Sequence, residues 1–252
     1  MYSCKVTLTT FKHHLTMINL KVITNMKKIA MLVLAVISAS CQGKNVDESF
    51  EVESLDKISQ HLKKSEVDTD NSKTETAIFA GGCFWCTEAF FTDLKGVSTV
   101  TSGYIGGTKA DPTYHEVSSG RTGHAEAIQI TYNPAEIAYE DLLEIFFSTH
   151  DATTLNRQGN DVGTQYRSEI FYTTEAQKAS AENFIKLLTD QKIYGDKKIV
   201  TKISKATTFY PAENYHQDYY AQNSNQPYCQ MVIAPKLDKL RKNYKSKLKT
   251  KQ

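Results

Sequence analysis

The chain has 252 residues, is 40% hydrophobic and carries 30 basic against 28 acidic side chains, a net charge of +2. That length accommodates one well-packed domain with extensions, and the near-neutral charge points to no particular class of partner. Five cysteines are too few for a disulfide-stapled scaffold, and the absence of a basic stripe interleaved with aromatic residues argues against nucleic-acid binding.

At the amino end, Met26-Lys27-Lys28 precedes an apolar run from Ile29 to Ile37 and the small residues Ser38-Ala39-Ser40, followed by Cys41. A basic start, a short apolar core and a small-residue cleavage point describe a secretory signal, and the run is too short to span a bilayer. With Cys41 directly after the small residues, the segment resembles a bacterial lipoprotein signal, which implies lipidation of Cys41 and a membrane anchor. Ser38 stands where that pattern usually has an aliphatic residue; the alternative is an ordinary signal peptide and a soluble secreted or periplasmic protein. The lipoprotein reading makes Met26 the true start, residues 1–25 untranslated or disordered, 26–41 the signal and 42–73 a polar tether in the cell envelope. Within the tether, Leu55, Ile58 and Leu62 have the spacing of a short amphipathic turn.

The folded domain is expected over 74–235. Thr76 to Ala80 reads as a buried strand ended by Gly81-Gly82, and Cys86 to Leu94 as a helix closed by Gly96. Val97 to Tyr104 is a predicted strand. A loop rich in glycine, serine and threonine follows, and then Ala125 to Tyr132 alternates as a strand, with Glu126, Ile128, Ile130 and Tyr132 on one face. Helices are expected over 139–149 and 174–190, and strands over 169–172 and 199–203. This order predicts a two-layer α/β or α+β domain. Residues 236–252 hold eight basic residues against Asp238 and read as a solvated basic tail.

Cys83 and Cys86 lie three residues apart where a strand, two glycines and a helix meet. A thiol at a helix N-terminus faces unpaired amides and the positive end of the dipole, which favours thiolate. Helical i, i+3 spacing brings two cysteines within disulfide reach. On residue type alone, three other readings stay open: half of a zinc site, a thioredoxin-like C-x-x-C, or two inert buried thiols.

Gly82-Cys83-Phe84-Trp85 resembles the active-site signature of the A-type peptide-methionine sulfoxide reductases. The likeness continues, in family order, through Gly103 to Gly107, Pro112 to Val117, Gly123 to Glu126, Asp161 to Ser168 and Ala212 to Tyr219, and so spans about 77–235. The resemblance implies a two-layer sandwich with a ferredoxin-like core, long loops and an irregular C-terminal segment. It implies reduction of the S epimer of methionine sulfoxide, free or in proteins, by a monomer that uses no metal or organic cofactor and is recycled by thioredoxin or a similar dithiol.

Residue by residue, the family pattern makes Cys83 the nucleophile and Glu126 the acid that protonates the sulfoxide oxygen. Tyr114 and Tyr166 hydrogen-bond that oxygen, Phe84 and Trp85 wall a pocket for the methyl group, and Asp161, His216 and Tyr228 support substrate binding. A sulfoxide oxygen leaves only when protonated, so the acid must hold its proton at neutral pH, and burial among aromatic rings should raise its pKa. Many members of the family have glycine where this chain has Cys86 and use cysteines in a glycine-rich tail. Here that tail is missing, so Cys86 is the expected resolving thiol. Cys229 is either a relay or a buried small hydrophobe. His115 and His124 read as surface or structural histidines.

Overall fold

The computed structural model describes residues 48–63 and 74–249. The proposed signal segment, Cys41 and residues 64–73 lie outside them. In chain order the elements are α1 (Glu48–Lys63), β1 (Glu75–Gly81), α2 (Phe84–Thr92), β2 (Val97–Ile105), α3 (Tyr114–Ser118), β3 (Ala125–Tyr132) and α4 (Tyr139–Thr149). Then come β4 (Arg157–Gln158), β5 (Asp161–Val162), β6 (Ser168–Tyr172), α5 (Glu175–Asp190), β7 (Lys202–Lys205), β8 (Tyr210–Pro211), α6 (Tyr219–Asn223) and α7 (Ala234–Asn243).

Six strands form one sheet in the order β7-β6-β1-β3-β2-β8, and β4 and β5 form a separate two-stranded hairpin. All pairs in the large sheet are antiparallel except β6–β7. The inner order β6-β1-β3-β2, with helices α2 and α4 as the crossovers, is the ferredoxin-like arrangement. Alternation on the strands sets the layers. Phe79, Ile128, Ile130, Tyr132 and Ile170 belong to the cluster that holds the helices, including Phe90 and Phe91 of α2, Phe146 of α4 and Phe184 of α5. On the opposite face Ile78, Ala80, Ile105, Ala125, Ala127 and Phe171 form a smaller cluster covered by Ala206 and Phe209.

The antiparallel pairing of β1 with β3 positions the site. Phe79 lies opposite Ile128, so the chain leaving β1 passes over the start of β3. Tyr104 on β2 is the register partner of Glu126 on β3. The segment after Gly81-Gly82 is therefore delivered above Glu126, on the helix-covered face. Gly81 is needed for this approach, because a Cβ there would lie 2.9 Å from a ring carbon of Phe146.

Three expectations need correction. The final strand runs from Lys202 to Lys205 instead of 199–203; the Val200 amide bonds to the Ala152 carbonyl at 2.8 Å, and pairing with β6 begins only at Lys202. The segment read as a tether contains α1, a 16-residue helix whose Leu55 and Ile58 are buried in the main core. The domain also continues past 235. Leu237, Leu240 and Tyr244 are buried, Leu248 bridges to Leu94, and the amide of Lys249 bonds to the carbonyl of Asp93.

The basic tail is thus partly structural. Lys247 binds Glu144, Asp141 (2.8 Å) and Asp56 (3.6 Å), while Lys63 reaches Asp141 at 2.6 Å. Burial alone would lower the Lys247 pKa, but Glu144 and Asp141 outweigh it and hold the ammonium charged. Removing one partner of a buried ion network strands the others without a counter-charge. Lys247→Met should therefore cost about 3 kcal/mol, a fall in Tm of roughly 6–12 °C for a domain of this size, read by thermal melting.

Candidate active site

Cys83 is the residue from which α2 starts. Its carbonyl accepts the first helical bonds from the amides of Cys86 (3.1 Å) and Thr87 (3.3 Å), while its sulfur caps nothing. The next amide, that of Phe84, donates to Oε2 of Glu126 at 3.1 Å. One of the helix's unpaired N-terminal donors is thereby met by the carboxyl lying beneath it. Gly82 makes the turn with φ +99, a conformation that strains any side chain, and a Cβ there would lie 2.6 Å from Cγ of Gln158. Gly82→Ala should displace Cys83. A loss of turnover out of proportion to the change in Tm, measured on the same preparation, is the expected result.

The electrostatics differ from a simple helix-dipole expectation for Cys83. Burial pushes its thiol well above the ordinary range, and the neighbouring Cys86 sulfur and Glu126 push the same way. Cys86 moves down, because the Cys83 thiol donates a hydrogen bond to its sulfur, more than offsetting its own burial. Cys83 therefore rests as a thiol. Glu126 is 1% exposed; burial raises its carboxyl to about 8 despite the Phe84 amide, with the charge of Asp161 adding to the rise. At neutral pH it holds a proton.

Around these groups the other expected residues converge. Burial, then the charge of Glu126, pushes the Tyr114 hydroxyl up to about 12, and Tyr166 moves the same way for the same reasons. Both phenols remain donors across the working range. Phe84 is buried against Tyr104, Tyr114 and His216, with ring centroids 5.1–6.4 Å apart. Trp85 is half-buried, stacks on Tyr219 at 3.7 Å and donates its indole N–H to Nδ1 of His216 at 3.0 Å. Because Nδ1 accepts that bond and burial depresses the imidazole pKa, His216 is neutral, with its hydrogen on Nε2. His216 thus fixes the Trp85 ring.

Tyr228 donates to Oδ2 of Asp161 at 2.8 Å, and its oxygen lies 3.7 Å from the Cys86 sulfur. A cleft of about 650 Å³ opens beside the two cysteines, bordered by Gln158, Asp161, Tyr228 and Met231. Cys229 is wholly buried within a π-helical turn, Cys229–Ile233, which suits a small core hydrophobe better than a mobile relay. His124 is structural: Nδ1 accepts from the Gly107 amide and Nε2 meets the Lys109 carbonyl. His115 is exposed. Among the described residues, no three or more His, Cys, Asp or Glu side chains converge as a metal site would require.

Two positioning residues were not singled out from sequence. Glu213 accepts from the Tyr104 hydroxyl and the Tyr114 amide, both at 2.9 Å, and so anchors the start of α3. Tyr219 supplies the stacking platform for Trp85. Both lie in the Ala212–Tyr219 block, but their partners are more than 95 residues away in the chain.

Comparison with known proteins bears on this arrangement. The sequence pattern of the family described as peptide methionine sulfoxide reductase matches residues 75–248. The peptide methionine sulfoxide reductase MsrA of Deinococcus radiodurans is 56% identical over 175 residues, covering 69% of this chain and 84% of that one. The MsrA of Chromobacterium violaceum is 55% identical over 170 residues, covering 68% and 96%. Among solved structures, Mxr1 from Saccharomyces cerevisiae in reduced form superimposes with a TM-score of 0.56 at 33% identity, covering 64% of this chain and 92% of that one.

Proposed function

Since the chain belongs to the peptide methionine sulfoxide reductase family, an oxidoreductase family that reduces methionine sulfoxide, we propose that it reduces the S epimer through Cys83 and Glu126. The observation that carries this reading is the buried, protonated Glu126 carboxyl held by the Phe84 amide directly after Cys83. Tyr114 and Tyr166 donate hydrogen bonds to the sulfoxide oxygen, and Phe84 and Trp85 receive the methyl group in an apolar aromatic slot.

The steps balance as follows. Glu126 gives its proton to the sulfoxide oxygen as the Cys83 sulfur attacks the sulfoxide sulfur. The Cys83 proton replaces the one lost from Glu126. Oxygen then passes to Cys83, leaving methionine and a Cys83 sulfenic acid. Cys86 condenses with the sulfenic acid, releasing water and forming the Cys83–Cys86 disulfide. Thioredoxin, or a donor with a similar dithiol, reduces it. Turnover of separate S and R epimers of a methionine sulfoxide peptide, with dithiothreitol as reductant, tests the reading. S-only reduction is expected; equal reduction of both overturns it.

The roles of the two thiols separate in one variant. Cys86→Ser should release one methionine per enzyme and then stop when thioredoxin is the only reductant. Normal cycling with thioredoxin would transfer the resolving role to Cys229. For localisation, the basic and apolar run ending at Cys41 supports export and a lipid anchor in the bacterial envelope. The intact mass of the processed protein tests it: a lipidated chain beginning at Cys41 is expected, and a chain retaining 26–40 refutes it.

A further inference from the structure

The first step uses Glu126 as its acid, but the second step has a different need. Cys86 must give up a proton as its sulfur attacks Cys83. In the resting enzyme the Cys83 thiol donates to the Cys86 sulfur. Once Cys83 carries oxygen, that thiol hydrogen is gone. The groups facing Cys86 are then Tyr228 and Cys229 from the C-terminal segment, Asp161 from β5, Lys236 from α7, and Glu126 across the Cys83 sulfur.

Among the described residues, Tyr228 links Cys86 to a carboxylate. Its hydroxyl has one hydrogen, committed to Oδ2 of Asp161 at 2.8 Å. With that hydrogen on Asp161, the hydroxyl oxygen is left to accept from the Cys86 S–H across their 3.7 Å contact, in which either atom can donate. The chain of contacts runs S–H to hydroxyl to carboxylate.

We propose that Cys86, Tyr228 and Asp161 form a proton relay serving the resolving step. As the Cys86 sulfur attacks the sulfur of the Cys83 sulfenic acid, the S–S bond forms and the S–O bond breaks. The Cys86 proton moves to the Tyr228 oxygen while the Tyr228 proton moves to Asp161. The departing hydroxide takes the proton held by Glu126 and leaves as water. Asp161 then holds one proton and Glu126 has lost one. Asp161 borders the open cleft and gives its proton to solvent there, and Glu126 regains one from solvent before the next cycle. The net change is one thiol and one sulfenic acid converted to a disulfide and water. The proposal rests on Cys86 as the resolving thiol, and it removes Tyr228 and Asp161 from a purely substrate-binding role.

The test mixes reduced full-length protein with one equivalent of the S epimer of a methionine sulfoxide peptide. Three quantities are followed between pH 6 and 9: methionine formed, sulfenic acid trapped by dimedone and weighed by mass spectrometry, and disulfide formation. Tyr228→Phe should make its one methionine, accumulate sulfenic acid and form disulfide about 10²-fold more slowly than wild type at pH 7. Its disulfide rate should climb from pH 6 to about 8 as hydroxide replaces the missing base, until Glu126 loses the proton the departing hydroxide needs, whereas the wild-type rate is nearly flat over that range. Asp161→Asn should do the same, which guards against a packing defect peculiar to one variant. Wild-type rate and pH dependence of disulfide formation in both variants overturn the relay, as does an equal slowing of both steps with no new pH dependence. Cys86→Ser is the separate control. If it still forms a Cys83 disulfide, the resolving assignment itself fails; if it does not, while Tyr228→Phe forms the disulfide normally, only the relay fails.

Discussion

Cys83→Ser forms no methionine from methionine sulfoxide, even in a single turnover with dithiothreitol in excess. A hydroxyl at this position is a far weaker nucleophile toward sulfur, and the burial that pushes the Cys83 thiol up outweighs the Tyr228 hydrogen bond that opposes it. Cys86 cannot substitute for it, because its contacts are with the Tyr228 hydroxyl and the Cys83 sulfur and it has no Glu126-bound amide beside it. The expected loss is on the order of 10⁵–10⁶-fold, the scale seen when a covalent nucleophile is removed. Rapid-quench measurement of methionine per enzyme checks it, and a residual burst in the serine variant would move the chemistry to another residue. The fold should survive, since the Cys83 sulfur caps no helix and is replaced by a smaller group.

Glu126→Gln should lower kcat/KM by about 10²–10⁴-fold, the usual value of a positioned acid. Glutamine can still accept the Phe84 amide, so the defect is loss of the proton donor. The pH profile separates the two. With a carboxyl at about 8, wild-type kcat/KM should fall above pH 8 as Glu126 loses its proton, and the glutamine variant should lack that alkaline limb. Stability moves in the opposite sense. Because the folded pKa of Glu126 lies above its ordinary value of 4.5, any stability it contributes is complete below about 4.5 and is lost as pH rises through about 8. Glu126→Gln removes that dependence and should melt at a higher temperature than wild type at pH 8–9. A variant both slower and less stable across the whole range would contradict the assignment of Glu126 as a buried neutral acid.

The same residue marks where sequence reading ends. Alternation over 125–132 places Glu126 on the face shared by Ile128, Ile130 and Tyr132, and the family pattern makes it the acid. Its protonation depends on being covered by α2, whose Phe84 amide comes from 42 residues earlier. Cys83 shows the converse. A local argument from the helix N-terminus favours thiolate, but burial between Cys86 and Glu126 reverses the direction. The basic C-terminus is a third case. Its charge count reads as a solvated tail, whereas Lys247 is held by Glu144 and Asp141 from α4. The spacing of Leu55 and Ile58 indicated an apolar stripe on α1, but not that the stripe docks on the main core.

By itself the sequence determined the family, two cysteines one helical turn apart at a strand–helix junction, and the main strands and helices from β1 to α5, though not α3 or the β4–β5 hairpin. These are local matters, set by side-chain periodicity and by the short motifs that chemistry requires. Only the tertiary structure decided the strand order, the partners that hold Trp85 and Tyr114, which sulfur rests protonated, and the line from Cys86 through Tyr228 to Asp161. Each of these depends on desolvation or on contacts between residues far apart in the chain, and both arise only when the layers close over one another.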